Sequence, residues 1–488
     1  MLSTKKYFLD FIVFILAVFS IVMCFLNSYW ADEFYTMCIV SFPLRDSWNI
    51  LKFDVHPPLY YLGAKAFYNT LKAIFPSVNI ITALKIFSLV PSLILLIVSK
   101  LQIKKYFGKF VAILFSIAIL AAPHLCTYNT EIRMYSWTML FITLAYLSIY
   151  ELLYYKNVKA IISFTIYGVL ATYTQYYAII IIGLMIIFLF INTFDDSDIS
   201  SSVIVISGIV MLILYIPQLK TFAIQAALVT GSYSLRNIKL LDFVYAIVYP
   251  FQFQYPYLKA LYFLTYALSI IVLMILLSAF RFRKNIKDRA DIVLFALLSP
   301  LMLSGILIIL SLTIKPIFLP RYIVMVLPIF WISVFNILKY CKKAKQIFTV
   351  TIIICFIINF SATVFYEICF DREYNKLNNF LTSARKENSV FCADLKIDLV
   401  NTGILTMDYN PKDVVILESH KDIEDLFDKY DNIYYIVETY DNSELKSQDI
   451  QYTTMKRVHN ISDLKCNTNL QLIFINPDTT YKIYKLLK

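Results

Sequence analysis

The sequence predicts a polytopic all-α membrane protein of about eleven transmembrane helices with a small α/β domain at its carboxyl end. Three observations predict it. Hydrophobic residues make up 59% of the 488 and mean hydropathy is +0.68. Charged residues are only 16%, against about 25% in a typical soluble domain. The charge also changes sign along the chain: residues 1–366 carry 29 Lys and Arg against 13 Asp and Glu, and the remainder 15 against 20. The basic excess behind the net charge of +11 therefore belongs to the membrane part. Lysines and arginines that set topology explain it better than nucleic-acid binding.

Apolar runs near the length needed to cross a bilayer lie at 8–28, 78–98, 110–126, 134–153, 160–175, 177–193, 202–217, 258–280, 291–312, 322–338 and 347–366. The run at 7–26 is too long for a signal-peptide core and no small-x-small site precedes Asp32, so the first span is retained. Under this count Lys5, Lys6, Lys100, Lys104, Lys105, Lys109, Lys156, Lys159, Arg281, Arg283, Lys284, Lys287, Arg289, Lys339, Lys342, Lys343 and Lys345 share one side. The positive-inside rule makes that side the cytoplasm; the Asp195-Asp196-Ser197-Asp198 loop lacks a cation there but counts little. The amino terminus is then inside a plasma membrane, and residues 367–488 are outside. The outer loop at 28–77 is too long for a turn, and its aromatic residues and scattered lysines predict amphipathic helices at the interface.

Sidedness sorts the acids. Six of the thirteen in residues 1–366 face outward: Asp32, Glu33, Asp46, Asp54, Glu131 and Asp242. Four of them sit in two motifs. Ala31-Asp32-Glu33-Phe34-Tyr35 follows the first span, with Asp54 and His56-Pro57-Pro58-Leu59-Tyr60-Tyr61 later in the same loop. Tyr128-Asn129-Thr130-Glu131-Ile132-Arg133-Met134-Tyr135 joins the third and fourth spans. Carboxylates at a membrane boundary are costly and tend to be kept for chemistry. Arg133 carries a planar fork suited to phosphate oxygens. Lys315-Pro316-Ile317-Phe318-Leu319-Pro320-Arg321-Tyr322 adds two cations at an outer boundary, and Tyr173-Thr174-Gln175-Tyr176-Tyr177 adds the aromatic and amide groups that line sugar sites. Each has a plainer reading, as an ion pair, an interfacial anchor, a turn cap or an aromatic belt. Their convergence on one compartment favours a site.

The tail reads as a separate small α/β domain, residues 367–488, with β-type runs at 390–395, 414–417, 432–437 and 470–475 and a helix at 421–430. Cys369, Cys392 and Cys466 permit at most one bridge among themselves, so neither a disulfide framework nor a zinc cluster is indicated. With eight glycines, phosphate-cradling loops are scarce, and there is no internal repeat, Walker motif, Rossmann signature or nucleophile elbow.

The Asp-Glu pair after the first span, the His-Pro-Pro-Leu-Tyr-Tyr element, Glu-Ile-Arg-Met-Tyr in the second outer loop and Arg-Tyr-x5-Pro at Arg321 resemble the GT-C glycosyltransferases, in particular the protein O-mannosyltransferase and aminoarabinose-transferase superfamily. The resemblance covers roughly residues 1–366. It implies a polyprenyl-phosphate sugar donor, transfer outside the membrane with inversion, and a catalytic base at Asp32 with Glu33 as its partner. Aminoarabinose transferases tend to read Glu-Lys-Pro-Pro-Leu where this chain has Val55-His56-Pro57-Pro58-Leu59.

Sugar transfer from a lipid phosphate needs a base within reach of the acceptor hydroxyl and positive charge on the leaving phosphate. Asp32, with Glu33 as its partner, suits the first task. Arg133 with Lys315 or Arg321 suits the second, with Tyr322 beside them. Asp54, His56, Glu131, Tyr135, Gln175 and Tyr176 are left to line the substrate pocket. Asp54 and His56 either hold a divalent metal ion or orient the donor, and two ligands one residue apart do not choose between them. The acceptor is a protein, a lipid or a surface polymer. The competing reading, a transporter or flippase of lipid-linked sugars, expects charges and broken helices at mid-membrane. A non-catalytic scaffold has no need of Asp32 and Glu33.

Overall fold

The computed structural model describes residues 2–194, 199–232, 238–253, 262–281, 290–341, 344–384, 388–393, 414–416, 425–438, 469–475 and 481–487. The acidic loop at 195–198, Arg283, Lys284, Lys287, Arg289, Lys342, Lys343, Cys466 and residues 421–424 of the expected helix at 421–430 lie outside them. The chain forms two compact units. One comprises Met1–Phe25, Pro43–Gly231 and Asn237–Tyr366; the other comprises Leu26–Phe42, Ser232–Arg236 and Glu367–Lys488.

The first unit is helical. It holds α1 (Leu2–Met23), and the second unit takes α2 (Ala31–Ser41); then come α3 (Leu44–Leu51), α4 (Leu59–Ile74), α5 (Ile80–Val98), a π-turn (Ser99–Ile103), α6 (Lys104–Phe107) and α7 (Lys109–Ala121). There follow α8 (Leu125–Thr130), α9 (Tyr135–Tyr155), α10 (Ala160–Thr174), α11 (Ala178–Thr193), α12 (Ser201–Ser232), α13 (Leu240–Val248), α14 (Tyr262–Arg281), α15 (Ala290–Thr313), a 3₁₀ segment (Pro320–Val326), α16 (Leu327–Leu338) and α17 (Lys345–Ala384). Among the described residues six helical stretches are long and apolar enough to cross a membrane: Ile80–Phe107, Tyr135–Tyr155, Ser201–Ala227, Ala290–Thr313, Pro320–Leu338 and Lys345–Arg372. The other expected spans are shorter apolar helices of 10–17 residues, among them Tyr7–Met23, Lys109–Ala121, Ala160–Thr174 and Ala178–Thr193. The expected count of eleven thus mixes six full-length spans with shorter pieces, because an apolar run in sequence includes the turn residues that flank its helix.

Burial ranks the helices. Pro320–Leu338 and Tyr135–Tyr155 are apolar on all sides and lie almost wholly inside the unit, whereas Ser201–Ala227 leaves most of its surface outward. Helices that are apolar all round are core or membrane spans. Apolar side chains gain nothing by leaving lipid for one another, so polar contacts fix the packing. Ser333 donates to Val293 O at 2.7 Å, Asn359 Nδ2 to Ala121 O at 3.1 Å and Asn129 Nδ2 to Ile119 O at 2.6 Å. Asn79 caps α5 by accepting the Ile81 N–H at 2.9 Å, as short polar side chains do at helix starts.

The second unit contains a five-stranded sheet of β1 (Ser389–Ala393), β2 (Val414–Ile416), β3 (Asn432–Glu438), β4 (Asn469–Ile475) and β5 (Tyr481–Leu487), in spatial order β2-β1-β3-β5-β4. β1 runs parallel to β2 and β3, and β5 antiparallel to β3 and β4. Alternate residues Val390 and Cys392, Ile433 and Tyr435, and Tyr484 and Leu486 make one core face with Leu426, the period-two pattern of a strand. β5 is the strand that the sequence reading does not include: its two lysines and two tyrosines interrupt the apolar run, yet the alternation carries Tyr484 and Leu486 inward.

Candidate functional site

In the first unit four chain segments bring polar groups together. The turn after α3 carries Asp54 and His56, and Pro57-Pro58 fixes the backbone that leads into α4. α8 ends at Glu131, and an Arg133 N–H to Glu131 O bond of 2.7 Å turns the chain so that Arg133 precedes α9. α10 ends at Gln175, and the 3₁₀ segment starts at Pro320-Arg321-Tyr322. Asp54, His56, Glu131, Arg133, Tyr135, Gln175 and Tyr322 are buried. Lys315 is half-buried in the loop that leads to Arg321.

His56 ties the segments together. Burial holds its imidazole well below the usual histidine range, Arg133 and Arg321 push in the same direction, and Gln175 opposes them. The ring is therefore a neutral donor and acceptor beside two guanidinium groups. Its Nδ1, and both amide atoms of Gln175, are buried without a hydrogen bond of normal geometry. Such groups are rare in folded proteins and call for an explanation. Arg133 Nη1 donates to Tyr61 OH at 3.4 Å. Arg321 also lies within electrostatic reach of Tyr128, Tyr135 and Tyr249, and Glu131 of Tyr128 and Tyr249. Tyr322 packs its ring 4.3 Å from that of Tyr177.

Tyr176 closes one side. Its hydroxyl accepts from Gln218 Nε2 at 2.8 Å and donates to Gln225 Oε1, while Gln225 Nε2 donates to Leu51 O at 2.6 Å. Burial pushes the Tyr176 phenol up to about 12, against the Gln218 hydrogen bond, and the Asp54 carboxylate adds to the rise. α12 thus anchors both the Tyr176 loop and the end of α3.

Three contributors escaped the sequence reading. His124 has φ 63° and ψ −43°, and the Leu125 N–H to Pro123 O bond of 2.8 Å closes a γ-turn around it, a strained conformation for a residue with a Cβ. Its ring stacks on Tyr249 at 3.8 Å and 10°, and Tyr128 meets Tyr135 edge-on at 4.7 Å. Lys85 is buried on α5, one helical turn from Ser88, which bonds Tyr60 OH at 3.1 Å. Nothing in composition or spacing marks a stack between distant aromatics or a strained backbone. Lys85 stands inside an apolar run, where sorting charges by loop passes over it.

Asp32 and Glu33 belong to the second unit, in the first turn of α2. Glu33 is buried, and its carboxylate accepts the Trp30 N–H at 3.0 Å, the reciprocal half of a capping box. Asp32 is half-buried, and its backbone carbonyl accepts from Thr36 Oγ1 at 3.2 Å. The same segment is tied to the following chain, with Asn27 N–H donating to Asp371 Oδ1 at 2.6 Å and Ser28 Oγ to the Glu367 carboxylate. Among the described residues no three His, Cys, Asp or Glu side chains group as metal ligands.

No protein-family model matches the chain, and no curated protein does so at a significant level. Solved structures do. ArnT from Cupriavidus metallidurans in the apo state superposes with a TM-score of 0.62 at 10% identity, over 99% of this chain and 98% of that one. ArnT from the same organism bound to undecaprenyl phosphate gives a TM-score of 0.61 at 10% identity over the same shares. The chain therefore has the fold of the aminoarabinose transferase ArnT, a GT-C glycosyltransferase fold.

Proposed function

We propose that this chain is a multi-pass membrane glycosyltransferase that moves a sugar from a polyprenyl-phosphate donor to an acceptor hydroxyl on the outer side of the membrane, with inversion at the sugar carbon. The observation that carries the reading is the set of buried Arg133, neutral His56 and Gln175 with half-buried Arg321, gathered from four segments of the first unit. Two guanidinium groups in a low-dielectric site are matched to a phosphate that gains charge as it leaves. Gln175 and His56 offer buried donors and acceptors to sugar or phosphate oxygens. The fold shared with an ArnT structure that holds undecaprenyl phosphate supports the same donor class.

In this reading the Asp32 carboxylate takes the proton of the acceptor hydroxyl, whose oxygen attacks the sugar C1. The bond from C1 to the phosphate oxygen breaks, and polyprenyl phosphate departs with the electron pair. Arg133 and Arg321 stabilise that charge, with Lys315 and Tyr322 beside them. Glu33 fixes the turn on which Asp32 stands. Asp54, Glu131, Tyr135 and Tyr176 shape the pocket for sugar and acceptor. Asp54 and His56 orient the donor, with Pro57-Pro58 holding the preceding imidazole in place.

The test is release of polyprenyl phosphate from a polyprenyl-phospho-sugar by the purified protein. Release that depends on an acceptor and survives chelation is expected. Movement of the intact lipid across a vesicle without cleavage would instead make the chain a flippase.

A further inference from the structure

At the end of the first unit away from His124–Arg133, the chain builds a lysine-rimmed cavity that the transfer reaction does not use. It has a volume of about 410 Å³ and lies between α1, the end of α5 and the start of α7. α7 alone separates the two regions by about 20 Å, at 1.5 Å per residue. Among the described residues Lys100, Lys104 and Lys109 line it, against a single carboxylate, Asp10. Asp10 Oδ2 stands 4.0 Å from Lys109 Nζ with both side chains half exposed, a pair that neutralises little.

Its construction is specific. α5 passes into a π-turn at Ser99–Ile103, where the Lys104 N–H bonds Ser99 O five residues back. Single π-turns inside α-helices are frequent at functional sites. Ser99 Oγ donates to Ala112 O at 2.7 Å, and Ser116 Oγ donates to Ser99 Oγ at 3.0 Å and to Ala112 O at 3.1 Å. This clamp fixes the floor between the two helices. Gly108 then reverses the chain at φ 93°, a conformation that costs glycine least, and so returns Lys109 to the same cavity. Topology requires only that lysines lie near this end of the spans; it does not require three of them, from three segments, around one clamped hollow.

The walls supply the other half of the chemistry. Phe14, Leu96 and Ile113 line the cavity, and Phe14 continues into the outward apolar face of α1 with Phe11 and Val18, which are 57% and 40% exposed. A soluble anion has no use for that surface. We propose that this cavity binds the head group of an anionic phospholipid, with its acyl chains laid along α1. Basic pockets between membrane helices take such head groups.

Native mass spectrometry of the full chain in neutral detergent tests this, by titration with dioleoylphosphatidylglycerol, dioleoylphosphatidylcholine and glycerol 3-phosphate. Phosphatidylglycerol should bind, and the Lys100→Ala, Lys104→Ala, Lys109→Ala triple variant should weaken it at least ~10-fold while a Lys52→Ala, Lys72→Ala control leaves it unchanged. Phosphatidylcholine should respond to neither. Equal retention of both lipids by the parent chain, or of phosphatidylglycerol by the triple variant, overturns the proposal. Competition by glycerol 3-phosphate at matched concentration would show a free-phosphate site instead and overturns it too. Ile113→Trp keeps every lysine and fills the hollow, so it covers a triple variant that fails to fold: it should cost phosphatidylglycerol the same ~10-fold, and unchanged binding there refutes the cavity.

Discussion

Arg133 and Arg321 approach one imidazole from different segments, and two guanidinium groups so placed can share one anion. A bidentate fork is better matched to phosphate than an ammonium, so Arg133→Lys should raise the apparent Michaelis constant for the donor by about 10-fold although the charge is kept. Full activity in that variant would reduce Arg133 to a diffuse charge. Asp32→Asn keeps shape and removes basicity, and turnover should fall roughly 100-fold or more while the protein still folds; near-normal turnover would remove Asp32 from the role of base. His56 makes a prediction about pH. The unfolded chain takes up a proton near pH 6.5, whereas the folded ring does so only well below that value. Stability from this group is therefore complete above pH 6.5 and is lost as pH falls below it, at up to about 1.4 kcal/mol per unit for one proton. The thermal midpoint of the parent should drop between pH 7 and pH 5, and His56→Gln should flatten part of that drop. An identical decline in the variant would assign the proton elsewhere. His56, Arg133, Arg321 and Gln175 were legible because charge and polarity at a membrane boundary are rare enough to read singly. His124 and Lys85 were not, since one depends on a backbone angle and the other sits within an apolar run.

Among the elements, α2 shows how a residue can look catalytic and also be needed for a helix start. Glu33 stands at the third helical position and its carboxylate accepts the Trp30 N–H, so the sequence pair Asp32-Glu33 joins a candidate base to the cap that orients it. A side-chain amide can accept that same bond. Glu33→Gln should therefore keep the turn and most of the activity, whereas Glu33→Ala should cost about 1 kcal/mol of stability and lower turnover together with it. A Glu33→Gln variant that is folded and inactive would show that the charge itself takes part in transfer. Helix positions were read well from apolar runs: 78–98 and 134–153 correspond to α5 and α9. Their ends were not, because caps, the π-turn after α5 and the 3₁₀ entry to α16 depend on hydrogen bonds that hydropathy does not report. The same limit hid β5, whose inward residues alternate with lysines.

For the whole molecule the open quantity is sidedness, on which the outer location of the reaction depends. The charge pattern assigns the lysine-lined end of the first unit to the cytoplasm and the His56 end to the outside, but a membrane orientation is a property of the chain in its bilayer. Asn49 on α3 and Lys159 before α10 are both exposed and belong to opposite ends under this assignment. Neither has a role in the proposed site. Asn49→Cys should react in intact cells with a maleimide that cannot cross membranes, above the background of the native thiols. Lys159→Cys should react only after the membrane is made permeable. The reverse pattern would turn the protein over and place the Arg133 and Arg321 cluster in the cytoplasm, where the same phosphate chemistry would have to draw on a donor facing inward. Labelling of both from one side would contradict the span count between them instead. Because that count rests on two full-length stretches, Ile80–Phe107 and Tyr135–Tyr155, with the shorter Lys109–Ala121 helix between them, the experiment also tests whether that shorter helix crosses.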